Sequence, residues 1–262
     1  MGSAQLDART LHRPIRGKPN VNDTARSLYD IRPGTHPNRR PKDAATIIVL
    51  ARQAGNIRVL MGQRSAGHAF LPGKVVFPGG STDRADYYAP FAQSLHPEVM
   101  AKLTVNMRGR TSARRAQALA LSAIRETYEE TGVLLGNSCA NPPNMRNAAW
   151  RDFLSHGVLP DLSPLRLIAR AITPPRFKRR FDARFFAVFD DAIVAKVAVP
   201  DNELIDPAWL TIEEARDHPL PDITRTVLGE LEQRLVGDPD LRTDEPVPFY
   251  FMRRGRFRRE LI

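Results

Sequence analysis

The chain has 262 residues, 42% hydrophobic and 26% charged, enough to bury a substantial core as one large domain with extensions or as two small ones. Its 39 Lys and Arg outweigh 29 Asp and Glu, and the net charge of +10 favours an anionic partner: nucleic acid, an acidic membrane surface or a phosphorylated small molecule. One cysteine, Cys139, excludes an internal disulfide and a cysteine-built zinc site, and the lack of a long apolar run or an apolar leader points to a cytoplasmic protein with no membrane span.

Residues 1–43, rich in Arg, Pro, Asn and Gly and without sustained periodicity, read as a loop-rich arm. From Ala44 the texture changes: ATIIVLA reads as a buried strand, Gly55 and Asn56 as a turn, and IRVLMGQR as the second strand of a hairpin. HAFLPGKVVFPGG, from His68 to Gly80, holds a short strand, KVVF, between glycines and prolines. Residues 81–112 form a polar insert with one expected helix, PEVMAKLTVNM, and a lid over the substrate is its expected role. Thr111 or Ser112 then caps an alanine- and leucine-rich helix, ARRAQALALSAIRETYEET, that Gly132 ends. PLRLIARAITPP and RFDARFFAVFD read as partnered strands. PAWLTIEEARDH reads as a strand end entering a helix through a capping box of Thr211 and Glu214, and TRTVLGELEQRLV as a last amphipathic helix. Residues 237–262 read as a basic, aromatic tail.

The helix ending RETYEETG carries Glu126, Glu129 and Glu130 on one face at spacings of three and four. Acidic groups at a helix C-terminus oppose the dipole by about 0.3–1 kcal/mol each, and their mutual repulsion adds to this. A divalent cation reverses that sign, because a few carboxylates together with water and substrate phosphates form a Mg²⁺ site.

These residues resemble a known family. Arg125, Glu126, Glu129, Glu130 and Gly132 resemble the RExxEExG core of the Nudix hydrolase box, and Gly79 and Gly80 its leading glycines, with residues 81–124 lying between the two parts, the insert of 81–112 among them. Gln117 stands where the box carries an earlier glutamate. The run LMGQRSAGHAFLPGKVVFPGG is similar to the signature of Nudix CoA diphosphatases, with Leu60, Arg64, Ser65, Gly73, Phe77, Pro78, Gly79 and Gly80 matching. Met61, Gly62 and Ala69 stand where that signature has Leu, Thr and Arg. The inserts and the ITPP...RFDARFF segment resemble the peroxisomal CoA diphosphatase branch.

The resemblance implies an α/β (α+β) Nudix fold over residues 44–236, a mixed sheet sandwiched between helices with a helical insert. It implies Mg²⁺ or Mn²⁺ held by Glu126, Glu129 and Glu130, with Glu126 binding metal or activating water and Arg125 orienting the glutamates. Glu203 is a further candidate base. Substrate contacts fall to Arg64, Lys74, Phe77, Gly79, Gly80 and Arg184. The implied substrate is a small-molecule nucleotide, CoA or acyl-CoA first, with NADH or ADP-ribose as the alternative. A catalytically silent ligand sensor is a third reading, and the intact glutamates weigh against it. Nucleic acid is not the expected partner, since MRRGRFRRE has no OB, RRM or KH signature beside it. A homodimer is the assembly considered.

Overall fold

The computed structural model describes residues 26–53, 55–67, 71–107, 109–198, 203–242 and 245–262. Its centre is a nine-stranded mixed sheet. Strands β1 (Lys42–Gln53) and β2 (Asn56–Arg64) form the expected hairpin, with Gln53 opposite Asn56 and Gly55 at a φ of 76°. In β1, Ala45, Ile47 and Val49 enter one core and Ile48 and Leu50 the other. Burial on both faces is why the segment reads as a continuous apolar run and not an alternating one.

β1 runs parallel to β9 (Phe181–Phe189), which pairs antiparallel with β8 (Arg166–Ile172). β11 (Leu204–Thr211) closes one edge against β2, and the hairpin of β12 (Pro248–Arg253) and β13 (Arg256–Leu261) extends the other beside β8. Two short pieces complete the sheet, β3 (Val75–Val76) on β2 and β4 (Gly79–Ser81) on β1. The expected KVVF strand thus contracts to its two valines. Outside the sheet, β5 (Val133–Leu135) pairs with β10 (Ile193–Lys196), and β6 (Asn137–Ser138) with β7 (Val158–Leu159).

Helices cover both faces. α2 (Pro97–Thr104), α3 (Ala113–Thr131) and α4 (Ala148–Ser155) surround a core containing Leu119, Ile124, Trp150 and Phe153. α1 (Arg26–Tyr29), α5 (Ile212–Asp217) and α6 (Asp222–Gly237) pack on the opposite face around Leu28, Ala215, Val227, Leu228 and Leu231. The Thr211 and Glu214 capping box is formed. The fold is the expected mixed sheet between helices. No helix among the described residues is long and apolar enough to cross a membrane.

Three expectations are corrected. The insert is not a lid: Leu95, Val99, Leu103 and Met107 are buried in the α3 core, so this segment is part of the packed interior. The basic tail is a sheet hairpin. Its Phe249, Tyr250 and Phe257 are 5%, 0% and 7% exposed, which removes the rings that a base-stacking nucleic-acid surface needs. Burying such a ring contributes about 1.5–3 kcal/mol, and that gain is what pulls a heavily charged segment into the sheet. The arm is anchored over its second half, where the Gly34 and His36 N–H groups donate to the carbonyls of Pro175 and Arg176; residues 1–25 lie outside the described part.

Candidate active site

The N-terminus of α3 is capped by Ser112, whose hydroxyl accepts from the Arg115 N–H. At the other end Gly132 adopts φ 71° and donates to the Tyr128 carbonyl. A β-carbon there would meet the Val197 carbonyl oxygen at 2.2 Å. Both the left-handed backbone and the close approach demand glycine, so Gly132→Ala is expected to lower unfolding free energy by about 2 kcal/mol or more in urea titrations. This stop fixes the last two turns of α3, which carry the glutamates, against β4 and the start of β1.

Arg125 is 7% exposed and its guanidinium is saturated. Nε and Nη2 donate to the two oxygens of Asp86 at 2.9 and 3.1 Å, and Nη1 donates to Glu126 Oε1 at 2.8 Å and Glu129 Oε2 at 2.6 Å. Nη2 also reaches the Ser81 carbonyl at 3.2 Å. Burial works against the charge, but Asp86, Glu126 and Glu129 outweigh it and hold Arg125 above its ordinary pKa. Asp86 has no exposed surface and also accepts from Trp150 Nε1 at 2.9 Å and the Asp83 N–H at 2.7 Å. It belongs to a 3₁₀ turn, Ala85–Tyr87, inside the insert. Nothing in the sequence distinguishes this aspartate from the other polar residues of the insert.

The glycines shape the opposite wall. Gly79 has φ 153°, and a β-carbon on it would lie 2.5 Å from Thr46 Oγ1. A β-carbon on Gly80 would lie 2.4 Å from the Glu126 carboxyl carbon, so only glycine lets β4 press against that side chain. Gly80→Ala is therefore expected to displace the Glu126 carboxylate and lower turnover more than about tenfold while leaving the fold intact, a split visible by comparing steady-state rates with circular dichroism.

Burial pushes the Glu126 carboxyl up to about 7, with Arg125 opposing and the neighbouring Glu129 adding to the rise. Glu130 is 2% exposed. Its Oε2 accepts the Gly79 N–H at 2.9 Å, while Oε1 is buried with no hydrogen-bond partner, 4.0 Å from Arg64 Nη2. Burial lifts Glu130 to about 8 against the pull of Arg64 and the Gly79 amide. Arg64 also donates to the Gly79 carbonyl at 3.3 Å and lies 3.8 Å from Glu203 Oε2.

The fold thus brings Arg64, Gly79, Gly80, Arg125, Glu126, Glu129, Glu130 and Glu203 together. Of the remaining expected contacts, Lys74 lies in the turn before β3, where its carbonyl accepts the Arg64 N–H at 2.9 Å. Phe77 is 3% exposed and belongs to the core on the α6 side, so it supports the glycine turn from beneath and does not face a substrate. Arg184 is also corrected. It is fully buried, bonded to Asp43 at 3.1 Å and to the Asp182 carbonyl at 2.6 Å, and serves the interior of the sheet. Ala69, where the related signature has Arg, lies outside the described residues. Beside Glu129 a cavity of about 770 Å³ is lined by Tyr128, Arg151, Asp152 and Ser155. The Tyr128 hydroxyl donates to Asp152 at 2.5 Å and lies 2.9 Å from His156 Nε2.

Among the described residues no group of three or more His, Cys, Asp or Glu is gathered to hold a metal ion alone; Arg125 draws Glu126 and Glu129 to itself, and Gly79 draws Glu130. The donor chemistry nevertheless fits a hard divalent cation. Mg²⁺ keeps several waters and takes only one or two carboxylates alongside substrate phosphates, and the bare Oε1 of Glu130 is a buried acceptor lacking a donor.

Comparison with known proteins agrees with this geometry. The family model described as NUDT19 Nudix domain matches residues 39–218. A Caenorhabditis elegans relative carrying the name nudix hydrolase 7 is 26% identical over 192 residues, 67% of this chain, and the chain spans only about half, 53%, of that relative's length. The crystal structure of a Nudix hydrolase from Alicyclobacillus acidocaldarius superposes with a TM-score of 0.56 at 28% identity, covering 76% of this chain and 93% of that one. The match over more than half the chain, falling on the glycine turn and the carboxylate helix alike, shows that the chain belongs to the Nudix hydrolase family through a NUDT19 Nudix domain.

Proposed function

We propose that this protein hydrolyses a diphosphate linkage in a nucleotide derivative, with CoA or acyl-CoA as the foremost substrate, giving 3′,5′-ADP and (acyl-)phosphopantetheine. The observation that carries the reading is the convergence of Arg64, from the CoA-type signature, with Glu130 of the helix and the Gly79 carbonyl. That contact joins the substrate-type motif to the carboxylate motif in one place.

Nudix hydrolases generally use divalent metal ions. Glu126, Glu129 and Glu130 would hold Mg²⁺ or Mn²⁺ here, and the cation would neutralise phosphate oxygens and acidify water. The chain's own residues supply the rest. Arg125 sets the rotamers of Glu126 and Glu129 through two charge-assisted hydrogen bonds. Glu126, poised at about 7, is suited to accept a proton from the attacking water near neutral pH. Arg64 places positive charge beside the glycine turn, where an anionic diphosphate requires it. Glu203, about half exposed, faces the same arginine from the residue just before β11 and is the second candidate base. The Ala69 position favours a second reading, in which another nucleoside diphosphate derivative such as NADH or ADP-ribose is preferred, since a guanidinium that clamps phosphate is missing.

The test is a panel of CoA, acyl-CoA, NADH, ADP-ribose, diadenosine polyphosphates and dNTPs with Mg²⁺ or Mn²⁺. Glu129→Gln is expected to lower kcat/KM by about 100-fold or more on the best substrate. Equal rates for wild type and Glu129→Gln on every substrate would end the enzymatic reading. Turnover in which CoA species are the poorest substrates would shift it to the second.

A further inference from the structure

A second charged cavity, of about 460 Å³, opens at the other end of α3. Its lining includes Arg40, Arg110, Arg115, Tyr87 and Ser112, with Asp43 as its one carboxylate. Arg115 Nε binds Asp43 Oδ2 at 2.7 Å, and Arg184 Nη1 binds Asp43 Oδ1 from behind at 3.1 Å, so both carboxylate oxygens are already engaged. Below that layer Arg170 and Arg184 share Asp182. The whole assembly sets five guanidinium groups against two carboxylates, and Nε and Nη2 of the fully buried Arg184 have no hydrogen-bond partner. Arg40 and Arg110, both exposed, are paired with no carboxylate among the described residues. The first N–H groups of α3, beyond the one Ser112 caps, point toward the same end of the helix and add to its positive potential.

We infer that this cavity is a binding site for a phosphate-type oxyanion, held by Arg40 and Arg110 over the Arg115–Asp43 layer and distinct from the diphosphate seat at the glutamates. The separation follows from helix geometry. Arg115 and Glu126 are eleven residues apart on α3, close to three full turns, so they share a face roughly 16 Å apart along the axis. One diphosphate group cannot touch both. The guanidinium pair, a planar fork of donors, matches a phosphate monoester or free phosphate better than a flat apolar ligand, and Tyr87 and Ser112 supply hydroxyls beside it. The oxyanion has two sources: a terminal phosphate on a long substrate lying along α3, or free phosphate acting as a separate ligand.

Inorganic phosphate is the probe, titrated into the full chain by calorimetry and by the shift in melting temperature. Wild type and Glu129→Gln are expected to bind it alike, whereas Arg40→Ser combined with Arg110→Ser is expected to weaken binding by about tenfold for each guanidinium removed. Both positions are exposed, so the double variant folds, and Arg110→Lys keeps the charge and retains most of the affinity. Kinetics separate the sources. A substrate-borne phosphate makes the double variant raise KM, with kcat unchanged, only for substrates carrying an extra phosphate monoester; a free ligand leaves KM unaltered for every substrate. Binding that persists undiminished in the double variant, or that disappears with Glu129→Gln instead, overturns the site. None of these binding readouts needs the diphosphatase reading to hold.

Discussion

Asp86→Ala is expected to destabilise the protein by about 3–5 kcal/mol, the range for removing one partner of a buried, hydrogen-bonded ion pair. The aspartate has no exposed surface and answers four donors: two from Arg125, the Trp150 indole and the Asp83 amide. Alanine leaves a 7% exposed guanidinium with two fewer acceptors and orphans the indole N–H. For a chain of this size the loss corresponds to a melting point lower by roughly 10 °C. Turnover should fall as well, because Arg125 freed from Asp86 pulls harder on Glu126 and Glu129. Asp86→Asn, which keeps the shape and one acceptor, should lose less stability. Urea unfolding of the three proteins checks the ranking, and an Asp86→Ala unfolding free energy within about 1 kcal/mol of wild type would refute it.

The second large effect couples pH to metal. Glu126 and Glu130 have folded pKa values raised from 4.5 to about 7 and about 8, chiefly by burial. A carboxyl raised on folding is favoured in its neutral form, so its penalty is absent below about 4.5, grows as pH climbs toward the folded value, and is complete above it. In that window each group removes about 1.4 kcal/mol of stability per pH unit. The metal-free protein should therefore melt at progressively lower temperature between pH 5 and pH 8. A divalent cation offsets the penalty by stabilising the ionised carboxylates, so the rise in melting temperature on adding Mg²⁺ or Mn²⁺ should be larger at pH 8 than at pH 6. Differential scanning calorimetry with chelator and with metal measures both. Glu130→Gln should flatten the metal-free profile, since its amide has no charge to bury.

Much of the frame was legible because local and global signals agreed. The helix bearing the glutamates announced itself through a Ser112 cap, an apolar face and a Gly132 stop, and these are the features that hold it in place. The hairpin of β1 and β2 followed from a two-sided apolar run and a turn glycine. Charge obscured the rest. In RFDARFFAVF the alternation places Asp182, Arg184 and Phe186 on one buried face, and a reading that sends arginines to solvent or substrate misassigns Arg184. The same habit set aside FYFMRRGRFRREL, although its aromatic positions alternate like any strand. Asp86 was invisible for another reason. Its role depends on Arg125, 39 positions away, and on Trp150, 64 away, and no local pattern encodes a meeting of that kind.

The C-terminal hairpin also decides how the sheet ends. Without β12, the backbone donors and acceptors of β8 around Arg170 and Ala171 would face outward, an open edge ready to recruit another chain. The hairpin caps that edge and replaces it with β13, whose exposed Arg256 and Arg258 repel a second copy presenting the same charges. Part of the large positive charge of this protein thus works against aggregation, by making the terminal strand a poor template for another.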